Sequence, residues 1–304
     1  MNKTKIIVTT TINPPTKALI KYSKLKDWKL IVVGDLKTPH KDFLKLKDII
    51  YLSPSDQEKI SKPISDLIGW NCIQRRNFGF MLAKKMSADI IATVDDDNIP
   101  HKDWGKNIFV NKEVKIRLFS DKNHFFDPLS VTEHKLFWHR GFPVQLLKKR
   151  QPKYLGTKKI HCLIQADLWN GDPDIDAICR IAYAPIVKFR KFKPFSTNKL
   201  VPFNSQNTFI SGKILKYYMM LPHVGRMDDI WGAYYLQQKL SHLSPFIVFS
   251  NSTVTQKRNV HNLITDLKNE VMGYEKTIFF SRNKVENFLP KKTLKLIKLY
   301  KNFF

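Results

Sequence analysis

An α/β fold, a single domain with a mostly parallel sheet flanked by helices, is predicted for this 304-residue chain by three observations. Short β-branched runs alternate with helical patterns at close spacing from residue 5 to residue 94, the rhythm of parallel strands joined by crossover helices. The composition, 43% hydrophobic and 12% aromatic, supplies one large core, or a core and an elaborated lobe. No internal repeat or low-complexity linker divides the chain.

The elements follow in order. Residues 5–12 (Lys-Ile-Ile-Val-Thr-Thr-Thr-Ile) are β-branched and form the first strand. Asn13-Pro14-Pro15-Thr16 turns the chain and starts a helix running to about Lys24, since proline fits the first helical turn. Residues 28–33 are a second strand ending at Gly34-Asp35, and residues 49–52 a third. Apolar positions at Leu67, Ile68, Ile73, Phe78, Met81 and Leu82 predict one long helix over 65–87. The run 89–94 is a buried strand that ends in Asp95-Asp96-Asp97. Beyond it, 114–119 and 246–250 read as strands, and 146–160 and 187–200 as basic surface loops. Residues 281–304 are set apart from a main unit of 1–280. The last 17 carry five lysines and no acid, with Leu294, Ile297, Tyr300 and Phe304 on one helical face. Such a helix can lie on an anionic membrane or dock on its own domain.

The charge is extreme: 52 Lys+Arg against 26 Asp+Glu, a formal +26. That field favours anionic partners, whether nucleic acid, anionic lipid or phosphorylated substrates, although an AT-rich coding bias produces the same composition. Lysine is spread along the whole chain, and no zinc-finger spacing or ribonucleoprotein-type motif accompanies it, which disfavours nucleic acid. Cys72, Cys162 and Cys179 form no CxxC and are odd in number, so a disulfide framework is not expected. The N-terminus reads as a strand, not a signal peptide, and no segment approaches the roughly 18 apolar residues needed to cross a bilayer. The expected location is cytoplasmic, at most peripheral to a membrane.

Three adjacent carboxylates at a strand's carboxyl end repel one another. They suit a hard cation, Mg²⁺ or Mn²⁺, carrying a phosphorylated substrate at the edge where open α/β sheets bind nucleotides; a solvated acidic turn has the same sequence. Four further motifs stand out. Arg75-Arg76-Asn77-Phe78-Gly79-Phe80 puts an arginine within reach of that edge. Trp138-His139-Arg140-Gly141-Phe142-Pro143 presents Arg140 on a defined loop. Asn170-Gly171-Asp172-Pro173-Asp174-Ile175-Asp176-Ala177 holds carboxylates in a rigid turn. Gly225-Arg226-Met227-Asp228-Asp229-Ile230-Trp231-Gly232 opens a helix with paired carboxylates, which can serve as general base, acceptor anchor or helix cap.

Taken together, from about residue 5 to 240, these motifs resemble the nucleotide-sugar glycosyltransferases of GT-A fold. They are most similar to the STELLO glycosyltransferase-like proteins and to the reversibly glycosylated polypeptides, which act as UDP-arabinopyranose mutases. The STELLO likeness lies in 138–143, 172–176, 201–208 and 220–222. The mutase likeness lies in Phe78-Gly79, Asp95-Asp96-Asp97, 140–143, 173–176 and 225–231.

The resemblance implies a Rossmann-like sheet with a C-terminal acceptor-side lobe, a UDP-sugar donor, and Mn²⁺ or Mg²⁺ on a DxD-type motif. Asp95 and Asp97 are then the metal ligands. Thr9, Asp35, Arg76, Asp95 and Asp96 hold the donor. Arg140, Asp228 and Asp229 are catalytic; at the helix start one aspartate of the pair is expected to cap and the other to deprotonate the acceptor hydroxyl if the enzyme inverts, Asp228 as cap and Asp229 as base or the two in exchanged roles. The acceptor is a glycan, a lipid-linked sugar or a protein. Two departures stand against mutase activity: position 147 is leucine where the mutases carry a second arginine, and Asn98 replaces an acid found in some relatives. A UDP-sugar mutase and a non-catalytic scaffold are the alternatives to sugar transfer.

Overall fold

The computed structural model describes residues 3–243, 246–259 and 261–304. In chain order the elements are β1 (Lys5–Thr11), α1 (Lys17–Ser23), β2 (Lys29–Gly34), α2 (His40–Leu44), β3 (Ile50–Leu52), α3 (Pro54–Ile68) and α4 (Arg76–Lys85). Next come β4 (Ile90–Val94), β5 (Asn98–Pro100), β6 (Glu113–Ser120), β7 (Lys153–His161), β8 (Ile164–Gly171), α5 (Ala177–Tyr183), β9 (Phe195–Thr197) and β10 (Asn207–Ser211). The chain ends with α6 (Asp228–Lys239), β11 (Ile247–Gln256), α7 (Leu263–Lys276) and α8 (Lys291–Asn302).

One sheet runs through the molecule in the order β3-β2-β1-β4-β10-β8-β11-β9-β6-β7, with β5 paired to β11. The expected α/β class holds, and β3, β2, β1 and β4 are parallel. β10 then inserts antiparallel between β4 and β8, β8 and β11 are parallel, and β6 and β7 pair antiparallel at the far edge. Strand order reverses between β1 and β4, so a crevice opens at their carboxyl ends, where such sheets take ligands.

Four predicted elements differ, the smallest being Phe195–Thr197, which lies in the 187–200 segment expected as loop and forms β9 between β11 and β6. The helix expected over 65–87 is two helices. α3 starts early on a Ser53–Asp56 capping box and stops at Gly69, whose φ is +82°, and α4 begins only at Arg76. The turn between them faces the crevice. Most of the 146–160 segment expected as loop forms the edge strand β7, Lys153–His161; exposed lysines on an edge discourage pairing with another chain. The strand expected at 246–250 continues as β11 to Gln256 across an irregularity between Ser250 and Val254.

Helix α4 lies close on β1 because residue 79 is glycine: a Cβ there would sit 2.3 Å from Val8 Cγ1 and 3.0 Å from Val33 Cγ2. That approach brings Arg76 to the end of β4. The terminal helix α8 docks on the domain through Thr293, Leu296, Ile297 and Tyr300, spaced i, i+3, i+4, i+7. The Tyr300 hydroxyl donates to the Tyr218 carbonyl at 3.0 Å, and Thr293 Oγ1 to the Pro222 carbonyl at 2.8 Å. Leu294, expected on this face, points outward. No helix among the described residues is long and apolar enough to cross a membrane.

Candidate active site

A cleft of about 810 Å³ opens at the carboxyl ends of β1, β2 and β4. Its walls come from the turn after β1, the 69–75 turn, the Asp95-Asp96-Asp97 loop, the start of α6 and the segment after β11. Seven carboxylates and five arginines line it, an acid excess that a bound cation would cancel.

The carboxylate triplet is fixed from two sides, and each member has a different environment. Asp95 Oδ1 accepts from Arg76 Nη2 at 2.8 Å, while burial pushes its carboxyl above the usual range against the pull of that arginine. Asp96 turns to the β1 side, where its Oδ2 accepts from Thr11 Oγ1 at 2.5 Å and Asn13 Nδ2 at 3.0 Å. Asp97 is anchored by its carbonyl, which accepts from the Lys257 N–H at 3.1 Å. Its Oδ1 is buried without a hydrogen-bond partner, and burial, then Asp95 and Asp96, raise its carboxyl to about 7. Asn98 is wholly buried; its Nδ2 donates to the Gln206 carbonyl and its Oδ1 accepts from Gln206 Nε2, so the amide seals the base of the loop.

Arg76 and Arg75 diverge. Arg76 is buried and divides its donors among Asp95, Thr10, Thr93 and Ser205, which leaves it orienting Asp95. Arg75 points away from the triplet. It stacks on Trp70 at 3.6 Å and bonds Gln57, Ser65 and the Gly69 carbonyl, pinning the 69–75 turn. Asp35 lines the cleft, and its carboxylate accepts from the Leu36, Asn71 and Cys72 N–H groups, which shapes the same turn. Thr9 is fully buried in the sheet and does not line the cleft. Its neighbours Thr10 and Thr11 do, because alternation along β1 and its end turn expose them there.

The roles expected of Arg140, Asp228 and Asp229 change most. Arg140 reaches the cleft wall, but its guanidinium is committed to protein. Nε and Nη2 donate to Asp174 at 2.7 and 3.0 Å, Nη2 to Asp229 at 3.0 and 3.2 Å, and Nη1 to the Arg226 carbonyl. Burial works against its charge, yet Asp174 and Asp229 hold its pKa well above the ordinary arginine value. Although burial favours its neutral form, Asp174 is held far below the usual carboxylate range by Arg140. The turn that presents Arg140 needs glycine at 141, where φ is +83° and a Cβ would lie 2.2 Å from Ile230 Cγ2.

Asp229 is saturated. Besides Arg140 it accepts from the Ser205 N–H at 2.9 Å, Ser205 Oγ at 3.2 Å and the Ile230 N–H at 2.9 Å. Asp228 is the freer carboxylate. Its Oδ1 accepts the Asp229 N–H and its Oδ2 accepts Gln74 Nε2, both at 2.9 Å, and burial, then Asp229, push its carboxyl up to about 7. Asp228 is also not the helix cap: Met227 occupies that position without a side-chain bond, and both aspartates receive first-turn N–H groups instead. Of the remaining acids, Asp174 is locked by Arg140 and Asn204, and Asp176 caps α5 through the Cys179 N–H outside the cleft lining.

Sequence reasoning passed over Gln74, Arg258 and His261. Arg258 lines the cleft beyond β11. Its Nε lies 3.3 Å from Asp172 Oδ2 without forming a hydrogen bond, and burial and neighbouring Arg180 lower its pKa. Extending the strand at 246–250 by six residues would have revealed it, since that extension delivers Arg258 to the carboxyl edge. Burial lowers the His261 pKa, against the pull of Asp266 3.3 Å away.

For a cation the oxygens left over by the hydrogen bonds are those of Asp97, the Asp95 oxygen not bonded to Arg76 and Oδ1 of Asp96. Among the described residues no group of three or more His, Cys, Asp or Glu side chains is placed so that it could hold a metal ion. The orphaned Asp97 Oδ1 and the hard oxygens beside it are of the chemistry a divalent ion takes, though they would supply only part of its ligands.

Fold and cleft together place the chain among α/β proteins whose ligand site lies at the carboxyl edge of a parallel sheet. No family model matches the sequence. The chain is similar to "Probable glycosyltransferase STELLO2" of Arabidopsis thaliana, 25% identical over 274 residues that make up 82% of this chain and 35% of that protein. It is similar as well to "Probable glycosyltransferase STELLO1" of the same plant, 24% identical over 267 residues, 80% of this chain and 34% of that protein. The STELLO resemblance read from the motifs is thus recovered over most of the sequence, while the chain spans about a third of the length of these curated relatives. Among solved structures, glucosyl-3-phosphoglycerate synthase from Mycobacterium tuberculosis in complex with uridine diphosphate overlaps 95% of this chain and 82% of its own. That overlap has a TM-score of 0.47 and 13% identity. A second structure of the M. tuberculosis enzyme gives a TM-score of 0.45 and 11% identity, over 92% of this chain and 80% of that one.

Proposed function

We propose that this chain transfers a sugar from a nucleoside-diphosphate sugar, UDP-linked, to a hydroxyl on a glycan, lipid-linked or protein acceptor. The observation that carries the reading is the convergence in one cleft of the Asp95-Asp96-Asp97 edge, Arg258 and the freer carboxylate of Asp228. The likeness to proteins named glycosyltransferases supports it.

Asp95 and Asp97 would hold a Mn²⁺ or Mg²⁺ ion, which supplies charge neutralisation for the departing diphosphate. Arg258 adds positive charge on the same side, from a position beyond β11. Arg76 keeps Asp95 aimed into the cleft, and Asp35 with Arg75 shapes the turn that closes it. Asp228 takes the proton of the acceptor hydroxyl as the acceptor oxygen bonds to the anomeric carbon. The bond from that carbon to the β-phosphate oxygen breaks, and its electron pair leaves with the nucleoside diphosphate. A base with a pKa of about 7 is half deprotonated near neutrality and still strong enough to accept a proton. Arg140 acts through Asp229 and Asp174 as a positioning residue, so of the three residues first given catalytic places Asp228 alone keeps one in this reading.

The proposal is tested by incubating the protein with a panel of sugar nucleotides, Mn²⁺ and a pooled glycan and lipid-linked acceptor mixture, then measuring free nucleoside diphosphate and labelled acceptor. Acceptor-dependent release of UDP supports transfer. Isomerised UDP-sugar formed without acceptor would show a mutase instead, and ligand binding without turnover a scaffold.

A further inference from the structure

Among the described residues, four exposed large apolar side chains fall close together in sequence at α5 and the residues after it. Ile178, Ile181, Tyr183 and Ile186 are 39%, 50%, 46% and 78% exposed. Isolated exposed apolar side chains are ordinary, whereas a run of four within nine residues is not. The segment presenting them is held firmly. Val187 pairs with Gly171 through two backbone bonds of 2.8 Å, and the Phe189 N–H donates to Asn170 Oδ1 at 3.0 Å. With Val187 and Phe189 turned in, Ile186, Lys188 and Arg190 share the outer face, and Lys191 and Lys193 continue it as exposed cations. Between residues 177 and 227 the sequence contains no Asp or Glu. The nearby Glu133 receives the Arg190 N–H.

We propose that this face of α5 and the 184–193 segment docks on an anionic lipid surface. Apolar side chains flanked by a basic stretch match an interface in which the isoleucines enter the acyl boundary while lysine and arginine meet acidic headgroups. A second copy of the chain would bring a formal +26 against +26 and is repelled. Nucleic acid would engage the cations and leave the isoleucines in water. The terminal helix α8, which by its sequence can lie on a membrane or dock on its own domain, has its apolar stripe docked on the domain. The proposal does not depend on the transferase reading, although the face begins two residues after Asp176, on the loop whose Asp174 lines the cleft.

The test is vesicle co-sedimentation of the full chain with phosphatidylcholine alone and with phosphatidylcholine mixed with phosphatidylserine. Wild type should bind the mixed vesicles, less so at high salt. The charge-neutral variant Ile181→Ser with Ile186→Ser alters only exposed positions and should weaken binding by roughly tenfold or more. Lys188→Gln with Lys191→Gln should weaken it more than Lys24→Gln with Lys26→Gln, a charge-matched pair elsewhere on the surface. Circular dichroism confirms that each variant is folded. Absent vesicle binding, unchanged binding in the isoleucine variant, equal losses in the two lysine pairs, or displacement from vesicles by duplex DNA would each overturn the proposal.

Discussion

Replacing Arg140 by methionine separates a positioning arginine from a substrate-contacting one. The guanidinium is 10% exposed, and the carboxylates of Asp174 and Asp229 are 5% and 6% exposed, so the substitution strands two buried charges. Removing one partner of such a buried ion pair costs about 3–5 kcal/mol. In a chain of this size roughly 2–4 °C of melting temperature accompanies each kcal/mol, so a drop on the order of 10 °C is expected. Methionine fills similar volume, which keeps the loss electrostatic. Chemical denaturation of wild type and variant measures the difference. Adding Asp174→Asn and Asp229→Asn to the same chain should recover part of the loss, because the stranded charges are gone. A loss below about 1 kcal/mol, the level of an exposed ion pair, would refute the reasoning and return Arg140 to the substrate.

Asp228→Asn should cut turnover by about 10²–10⁴-fold with nucleotide affinity nearly unchanged, as expected for a general base; Asp229→Asn should chiefly lower the melting temperature, and steady-state kinetics beside thermal unfolding separates the two. The carboxyls of Asp97 and Asp228, raised to about 7 when folded, bind protons that the unfolded chain has released above its carboxylate pKa of 3.8. Their contribution to metal-free stability is therefore complete below that value and is lost as pH rises towards and through 7. Mn²⁺ should raise the melting temperature more at pH 8 than at pH 5, because protons compete for Asp97; equal shifts at both would contradict it. Gly79→Ala should cost about 1–3 kcal/mol, since its Cβ meets Val8 at 2.3 Å and α4 must lift from β1; denaturant titration reads the loss.

How much of this was legible in the sequence depends on whether the signal was local. The β-branched runs of β1, β2 and β4 and the acidic end of β4 are local patterns, and they placed the parallel half and its carboxyl edge. The break between α3 and α4 was missed because Leu67 to Leu82 was read as one apolar pattern straight through Gly69, whose positive φ ends the helix. Arg258 was missed because 251–256 is a polar run, Asn-Ser-Thr-Val-Thr-Gln, that pairs as a strand only through partners in β8 and β5. The division of labour between Asp228 and Asp229 was unreadable for a different reason. Adjacent aspartates look alike in sequence, and what distinguishes them is Ser205 and Arg140, brought from 24 and 89 positions away. Thr9 was assigned to the donor without the strand alternation that hides it in the sheet.

The central claim is that Asp95 and Asp97 make this cleft a cation-dependent nucleoside-diphosphate site. Isothermal titration of UDP into the folded protein tests it most directly, with and without Mn²⁺, for wild type and Asp97→Asn. Wild type should bind UDP with Mn²⁺ and at least tenfold more weakly without it, a difference of about 1.4 kcal/mol. Asp97→Asn should keep the fold and lose that difference. UDP affinity indifferent to Mn²⁺ in wild type, or a full Mn²⁺ effect surviving in Asp97→Asn, would contradict the account.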